Sequence, residues 1–280
     1  SYQEAYNEAL NIQKREGREY IHAFDDEAVI AGQGTVAKEI MEDFPDVQNL
    51  ISPIGGGGLI AGCATYLKAK NPKAKVFGVQ AEGCSTFLPS LKAGKLVTIA
   101  SSNTIAEGMS AKRMGDITFE ICRKLIDQSF LVSDEEIAEG ILWILENERL
   151  FVEGCGGAVV ACAIKNSKEI LSGPTAVLLS GGNLDVNFLA RIIERGLVKT
   201  GRLARLTATI PDLPGSLHRF IQVFAEMGGS IVQIEHERVF GHTGLREVVV
   251  NLILETQGLD HLERIQKALS ERGWRVEFDA

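Results

Sequence analysis

Four consecutive glycines, Gly55 to Gly58, lie between an apolar segment, residues 50–54, and a predicted helix over residues 59–68. Glycines adopt left-handed backbone angles, so successive N–H groups can point into one concavity, and the following helix adds its positive end. No Lys, Arg or His occurs over residues 50–67, so the backbone alone would hold an anion. The spacing matches neither G-x-x-x-x-G-K-[ST] nor G-x-G-x-x-G, which disfavours nucleotide binding. The alternative is a flexible glycine turn, which needs fewer glycines.

The composition indicates a globular α/β protein, because 45% of the 280 residues are hydrophobic and helix and strand patterns are mixed. A formal net charge of −8 and a pI near 5.3 argue against nucleic acid or an anionic membrane as the main partner. No apolar run approaches the ~18 residues that a membrane span needs, and the first residues have no signal-peptide character. We therefore expect a cytoplasmic protein.

The cysteines and histidines show no metal-ligand pattern. The five cysteines are never spaced as C-x-x-C, so they are interpreted as reduced, mostly buried thiols. The five histidines lack a spacing such as H-E-x-x-H, so no metal site is predicted. These residues are Cys63, Cys84, Cys122, Cys155, Cys162, His22, His218, His236, His242 and His261.

Residues 1–196 alternate helical and strand patterns, as a parallel α/β sheet requires. Ser133 and Glu136 form a predicted capping box before an apolar helical series. The strand that ends at Leu179 opens directly into Ser180-Gly181-Gly182-Asn183. Because ligands in such sheets gather at the carboxyl ends of strands, the two glycine-rich loops are predicted to share one site. The other predicted elements are helices at 4–16, 30–44 and 59–70 and strands at 47–51, 75–81, 130–132 and 175–179.

A predicted linker, residues 197–201, precedes a second region, residues 202–280, with the order β-α-β-β-α-β. Its first strand alternates apolar and polar residues, as a sheet with one covered face does. This order predicts a split βαβ, or ferredoxin-like, α+β domain. The predicted strands are 202–210, 231–239, 247–255 and 274–278, the helices are 217–228 and 259–269, and a turn is predicted at 240–244.

Six segments of residues 1–196 form a recognisable pattern: Phe24-Asp25-Asp26, Ala31-Gly32-Gln33-Gly34-Thr35, Pro53-Ile54-Gly55-Gly56-Gly57-Gly58-Leu59, Thr104-Ile105-Ala106-Glu107-Gly108, Val152-Glu153-Gly154-Cys155-Gly156-Gly157-Ala158 and Leu179-Ser180-Gly181-Gly182-Asn183. Together they resemble the C-terminal part of the catalytic domain of the threonine ammonia-lyases, or threonine dehydratases. These are pyridoxal-phosphate enzymes of fold type II, the tryptophan synthase β-subunit class. Residues 202–280 resemble an ACT domain, with the signature turn Asp212-Leu213-Pro214-Gly215-Ser216-Leu217. The resemblance implies an α/β partial catalytic domain followed by a ferredoxin-like ACT regulatory domain.

The resemblance implies a site for pyridoxal 5'-phosphate. Its phosphate would lie on Gly55, Gly56, Gly57 and Gly58, with the Leu59 amide at the edge, and Ser180 would hydrogen-bond the pyridine nitrogen. A hydroxyl cannot keep that nitrogen protonated as a carboxylate could, which favours elimination of a β-hydroxyl over transamination. The implied reaction converts L-threonine to 2-oxobutanoate and ammonia. The alternative role for Ser180 is the N-cap of the next helix.

The chain departs from the family pattern in its first part. The Ser-Phe-Lys stretch that carries the family's catalytic lysine and the Ser-Ser-Gly-Asn-His loop that binds the substrate carboxylate are both absent from this sequence. We therefore expect a C-terminal portion that has no catalytic residue of its own and is inactive alone. Glu107 and the Gly154-Cys155 pair also replace the family's usual residues.

The resemblance leaves several functions open. A serine dehydratase or a serine racemase shares nearly all of these residues, and a non-catalytic sensor or oligomerisation fragment remains an alternative. Isoleucine or valine is the expected effector of the ACT turn, residues Asp212, Leu213, Pro214, Gly215, Ser216 and Leu217. The alternative is a dimerisation module without ligand, since exposed edge strands favour pairing. A homo-oligomer, dimer or tetramer, is expected.

Overall fold

The computed structural model describes residues 2–183, 185–238 and 244–279 of the chain. The chain divides into two compact units, Ser1–Leu184 and Asp185–Ala280. This boundary precedes the predicted linker, residues 197–201, because a helix runs from Val186 to Lys199 and includes the first part of that segment. Its buried residues, Leu189 and Ile192, are three residues apart and therefore lie on one face of the helix.

The first unit is built on a parallel sheet of four strands in the order β3-β2-β1-β4. All five residues of β1 are buried, so both of its faces are covered, because successive side chains point to opposite faces. β1 begins and ends two residues later than predicted, since Pro53 still pairs with Val79 of β2. The strands are β1 (Asn49–Pro53), β2 (Lys75–Ala81), β3 (Gln128–Val132) and β4 (Thr175–Val177).

Helices connect and cover these strands. The capping box predicted at Ser133 and Glu136 is confirmed, because each side chain accepts a hydrogen bond from the other residue's backbone N–H. The helices of the first unit are α1 (Tyr2–Glu16), α2 (Glu27–Asp43), α3 (Gly58–Lys70), α4 (Phe87–Ala93), α5 (Asp116–Leu125), α6 (Asp134–Asn147), α7 (Gly154–Lys165) and α8 (Ser167–Ile170). None of the helices within the described residues is long and apolar enough to cross a bilayer.

The second unit has the predicted order β-α-β-β-α-β after one additional helix, α9 (Val186–Lys199). Its antiparallel sheet has the order β6-β7-β5-β8. The buried residues of β5 and β7 form one core with those of the two helices, so the ferredoxin-like arrangement is confirmed. Of the predicted turn 240–244, only Gly244 lies within the described residues. The elements are β5 (Leu203–Pro211), α10 (Ser216–Met227), β6 (Ser230–Glu237), β7 (Glu247–Glu255), α11 (Leu259–Glu271) and β8 (Val276–Asp279).

Candidate functional site

The glycine run connects the carboxyl end of β1 to the amino end of α3. Gly57 is the N-cap of α3 and has a left-handed backbone (φ 98°, ψ −6°). As a glycine it has no side chain that could cap the helix. The first N–H groups of a helix have no partner within the helix. Gly57 supplies no side-chain acceptor for the first N–H groups of α3, so these groups remain available to a ligand. The helix dipole favours an anion at this position.

The glycine run is enclosed by other parts of the first unit. A β-carbon on Gly55 would lie 2.8 Å from the carbonyl oxygen of Gly108, and one on Gly57 would lie 2.8 Å from Met114 Cε. A β-carbon on Gly56 would overlap the ring of Phe24. A flexible surface turn does not have such neighbours. The run is therefore a packed loop rather than the flexible turn that the sequence left open.

Residues far apart in sequence hold this loop in place. The carbonyl oxygen of Gly56 accepts hydrogen bonds from Thr118 Oγ1, at 2.7 Å, and from the Gly115 N–H, at 3.2 Å. Asp25 accepts hydrogen bonds from the first N–H groups of α5 and so fixes the helix that carries Thr118. The preceding residue, Phe24, covers Gly56.

The second glycine-rich loop begins just after β4. Gly181 has a left-handed backbone (φ 88°), and the side chain of Glu153 fills the space where a β-carbon would be. The Asn183 amide donates a hydrogen bond of 3.2 Å to Glu107 Oε2, which links this loop to the one that precedes Gly108. Two segments that were singled out in the sequence are thus held together by their side chains.

Both loops line one cavity of about 300 Å³ in the first unit. The predicted site residues Gly55, Gly56, Gly57, Gly58, Leu59 and Ser180 all contribute to its lining. Their role as cofactor ligands stays a prediction. Sequence reasoning assigned no role to the other lining residues, although most belong to the motifs quoted above. These residues are Ala23, Phe24, Gln33, Pro53, Gly108, Glu153, Cys155 and Gly181.

The cavity lining carries little charge. Among the described residues that line it, Glu153 is the one side chain that is normally ionised, and it is only 5% exposed. Burial, together with the charge of Glu153, raises the pKa of the Cys155 thiol far above its usual range. The thiol therefore stays neutral at physiological pH. An anion in this cavity would be bound by peptide N–H groups and hydroxyls, without a cationic side chain.

The alternative role for Ser180, as the N-cap of the following helix, is wrong. That helix, α9, is capped by Asp185, whose carboxylate accepts a hydrogen bond of 2.8 Å from the Asn187 N–H. Ser180 lies five residues earlier and is one of the residues that line the cavity. The five cysteines are free and buried, as predicted.

The residues predicted to bind an effector lie in the second unit, between β5 and α10. Gly215 is the left-handed N-cap of α10 (φ 84°). Asp212 pairs with Arg238, with 2.9 Å between Nη2 and Oδ1. Leu213 is 61% exposed, whereas Ser216 is buried. The remaining residues of the turn are Pro214 and Leu217, and Leu217 packs against the core of the unit.

Known proteins resemble this chain over both units. The profile of the family described as "Pyridoxal-phosphate dependent enzyme" matches residues 1–181. L-threonine ammonia-lyase from Thermotoga maritima is 40% identical over 275 residues, which cover 98% of this chain and 68% of that protein. The processed form of threonine deaminase isoform 2 from Solanum lycopersicum has a TM-score of 0.65 at 34% identity, over 69% of this chain and 54% of that one. Maize serine racemase has a TM-score of 0.64 at 32% identity, over 70% of this chain and 62% of that one.

The chain thus corresponds to only part of the length of each of these proteins. The cavity fits the cofactor of the matching family, because a packed glycine loop at a helix N-terminus suits a phosphate and a neutral hydroxyl, Ser180, lines the same space. The chain belongs to the pyridoxal-phosphate dependent enzyme family as a homologue of the L-threonine ammonia-lyases, and its cofactor is pyridoxal phosphate.

Proposed function

We propose that this chain is part of a threonine ammonia-lyase, which converts L-threonine to 2-oxobutanoate and ammonia by β-elimination. The observation that carries the proposal is the single cavity shared by the glycine loop and Ser180. The relative from Thermotoga maritima, named L-threonine ammonia-lyase, supports the substrate. The five free, buried thiols fit a reducing cytoplasm.

Each lining group has a proposed task. The N–H groups of Gly55 to Gly58 and of Leu59 bind the phosphate, and their positions at the start of α3 add the helix dipole. The Ser180 hydroxyl hydrogen-bonds the ring nitrogen without fixing a proton on it. Bound pyridoxal phosphate supplies an electron sink for the carbanion that forms when the substrate loses its Cα proton. Phe24 and Leu59 contribute apolar surface that excludes water.

Catalysis also needs an amine that binds the cofactor covalently, and the described residues that line the cavity include no lysine. We infer that this amine comes from outside the present sequence. The chain alone is then expected to bind pyridoxal phosphate reversibly and to be inactive. Borohydride treatment followed by mass spectrometry tests this, because a fixed cofactor would contradict it.

The reaction is tested by product analysis of a longer protein that contains this chain together with a segment that carries the family's Ser-Phe-Lys stretch. Formation of 2-oxobutanoate from L-threonine supports the proposal. The second candidate is a serine dehydratase or racemase, which the likeness to maize serine racemase favours. Pyruvate from L-serine without 2-oxobutanoate, or D-serine as the main product, would replace the threonine assignment.

For the second unit we propose an ACT module that binds isoleucine or valine at residues 212–217. The β-α-β-β-α-β order supports this, as do the left-handed Gly215 and the charged pair of Asp212 and Arg238 beside it. Isothermal titration of the chain with isoleucine, valine, threonine and serine is the test. If none binds, the unit is better described as a dimerisation module within a homo-oligomer or as part of a non-catalytic fragment, and sedimentation at several concentrations distinguishes these.

A further inference from the structure

The ring of His22 accepts two hydrogen bonds from the backbone that follows it. Its Nδ1 atom lies 3.2 Å from the N–H nitrogen of Phe24 and 2.9 Å from that of Asp25. Both groups donate, so Nδ1 must carry a lone pair and no proton. A proton on Nδ1 would face two N–H groups and would break this arrangement.

These two hydrogen bonds position Phe24 and Asp25, and both residues support the glycine loop. The ring of Phe24 covers Gly56 and lies 4.6 Å from the imidazole, centroid to centroid. The carboxylate of Asp25 accepts hydrogen bonds from the N–H groups of Asp116 and Ile117, each at 2.9 Å. His22 therefore orders the Phe24–Asp25 segment through its Nδ1 lone pair.

Phe24 and Asp25 both act on the peptide group between Gly56 and Gly57, Phe24 by direct contact and Asp25 through α5. Asp25 fixes the start of α5, from which Thr118 and Gly115 donate hydrogen bonds to the carbonyl oxygen of Gly56. In a planar trans peptide the N–H of the next residue points opposite to the carbonyl. Holding the Gly56 carbonyl toward α5 therefore turns the Gly57 N–H away from α5. Both glycines line the cavity.

We propose that His22 is a positioning residue for the phosphate loop, and that protonation of its ring loosens the loop and weakens binding of the cofactor's phosphate. The inference rests on the proposed contact between the glycine loop and that phosphate. Histidine is the side chain that normally changes its charge between pH 5 and 8. Weaker binding is therefore expected on the acid side of this range.

Within the described part of the chain, three titratable residues lie close to His22: Tyr6, Tyr20 and Asp25. Two tyrosine rings face the imidazole, Tyr6 from α1 and Tyr20 from its own segment, each with 6.0 Å between ring centroids. Burial, with a smaller effect of Tyr6, raises the pKa of Tyr20, so that ring stays neutral. The carboxylate of Asp25 is engaged by α5.

The test compares wild-type protein with His22→Asn and His22→Phe. An asparagine Oδ1 can accept the same backbone N–H groups without titrating, in the way that Asp26 accepts from Ala28 and Val29 at the start of α2. Phenylalanine keeps the ring packing against Tyr6 and Tyr20 but offers no acceptor. Affinities for pyridoxal phosphate and for sulfate are measured from about pH 5.5 to 8.5. Sulfate is included because it keeps its charge in this range, whereas a phosphate monoester titrates near pH 6.

We expect the wild-type affinity for sulfate to fall about tenfold toward the acid end, as the loss of about one hydrogen bond implies. His22→Asn should show no such fall, and His22→Phe should bind about tenfold more weakly at every pH. Equal pH dependence in the wild type and His22→Asn, or wild-type affinity in His22→Phe, would overturn the inference.

A second measurement separates this inference from the cofactor assignment. The amide resonance of Gly57, followed by NMR without any ligand, should shift with pH in the wild type and stay constant in His22→Asn. A shift without any binding of pyridoxal phosphate at pH 8 would contradict the proposed function and keep His22 as the residue that orders the loop. Binding with no difference in the Gly57 shift between the two proteins would overturn the role of His22 alone.

Discussion

The helices α3 and α10 begin in the same way, and their surroundings differ. Each has a left-handed glycine as its N-cap, Gly57 with φ 98° and Gly215 with φ 84°, and neither cap donates or accepts through a side chain. A β-carbon on Gly57 would meet Met114 and Thr118 within 3 Å, whereas one on Gly215 would meet only Arg219 Nη1, at 3.5 Å. The same left-handed glycine N-cap therefore occurs in an enclosed loop in the first unit and in an open turn in the second.

The two sheets also differ in how far their strands are enclosed. Every residue of β1 is buried, whereas β5 alternates, with Ala204, Leu206 and Ala208 buried and Arg205 and Thr209 exposed. A sheet covered on both faces leaves its strand ends and backbone groups for ligands. A sheet with an open face leaves side chains accessible. From this comparison we expect recognition by backbone groups in the first unit and recognition by side chains in the second.

The strongest test exchanges the two N-cap glycines for alanine, one at a time. Gly57→Ala combines a strained left-handed backbone with steric overlap in the loop, so we expect about 4 kcal/mol lower stability and more than about 100-fold weaker binding of pyridoxal phosphate. Gly215→Ala has the backbone strain alone, about 1–2 kcal/mol, and should leave cofactor binding unchanged. Urea unfolding and fluorescence titration measure both quantities. Equal effects of the two variants would break the comparison.

Alkaline pH should destabilise the first unit selectively. All five cysteines lie in it, and burial raises the pKa of Cys63 to about 11 and that of Cys122 to about 12, from an ordinary value of 9.0. Above pH 9 the unfolded chain loses these protons while the folded chain keeps them, so stability falls as pH rises toward 11. By pH 10, each such thiol should lower the free energy of unfolding by roughly 1 kcal/mol.

The measurement uses the chain's two tryptophans as separate reporters. Trp143 reports on the first unit and Trp274 on the second, and single Trp→Phe variants leave one reporter each. Cys122→Ala should flatten the slope that Trp143 reports between pH 9 and 10. If Trp274 reports the same thiol-dependent slope, the selectivity is wrong.

A smaller effect distinguishes a ligand contact from a helix cap. Ser180→Ala should weaken binding of pyridoxal phosphate about three- to tenfold, through loss of one neutral hydrogen bond, with little change in stability. Asp185→Ala should lower stability by about 1 kcal/mol through loss of the α9 cap and leave the cofactor affinity unchanged. The reverse pattern would return Ser180 to a structural role.

The smallest expected effect on stability concerns the open turn. Arg238 and Asp212 form an exposed ion pair, with Arg238 62% exposed, so Arg238→Ala should change the free energy of unfolding by less than about 0.5 kcal/mol. Isoleucine binding should nevertheless weaken, because this variant changes the charge beside residues 212–217. A large loss of stability with unchanged isoleucine binding would show that the pair is structural.

Much of the fold could be predicted from local patterns. Strands β2 and β7 have the predicted bounds, and the capping box at Ser133 is present. These elements have regular periodicity or a short-range hydrogen-bond signature. The meeting of the glycine loop with Ser180 followed from the rule that strand ends share one edge of a parallel sheet, and the cavity lined by both agrees with it.

The unpredicted parts have a physical explanation. Every residue of α7 from Gly154 to Ala163 is buried, so this helix has no polar face and no 3.6-residue period to detect. Contacts such as Phe24 on Gly56 or Glu153 beside Gly181 join distant segments. The sequence around these residues contains no local signal for such contacts. These pairs became recognisable only with the three-dimensional structure.

The nearly uncharged lining of the cavity has a consequence for the kinetics of cofactor capture. The protein has a formal net charge of −8, and within the described lining no cation offsets it. We therefore expect no long-range steering of a dianion toward the site, and association should be slow compared with electrostatically guided encounters. Added salt should accelerate loading modestly, because it screens the repulsion between like charges.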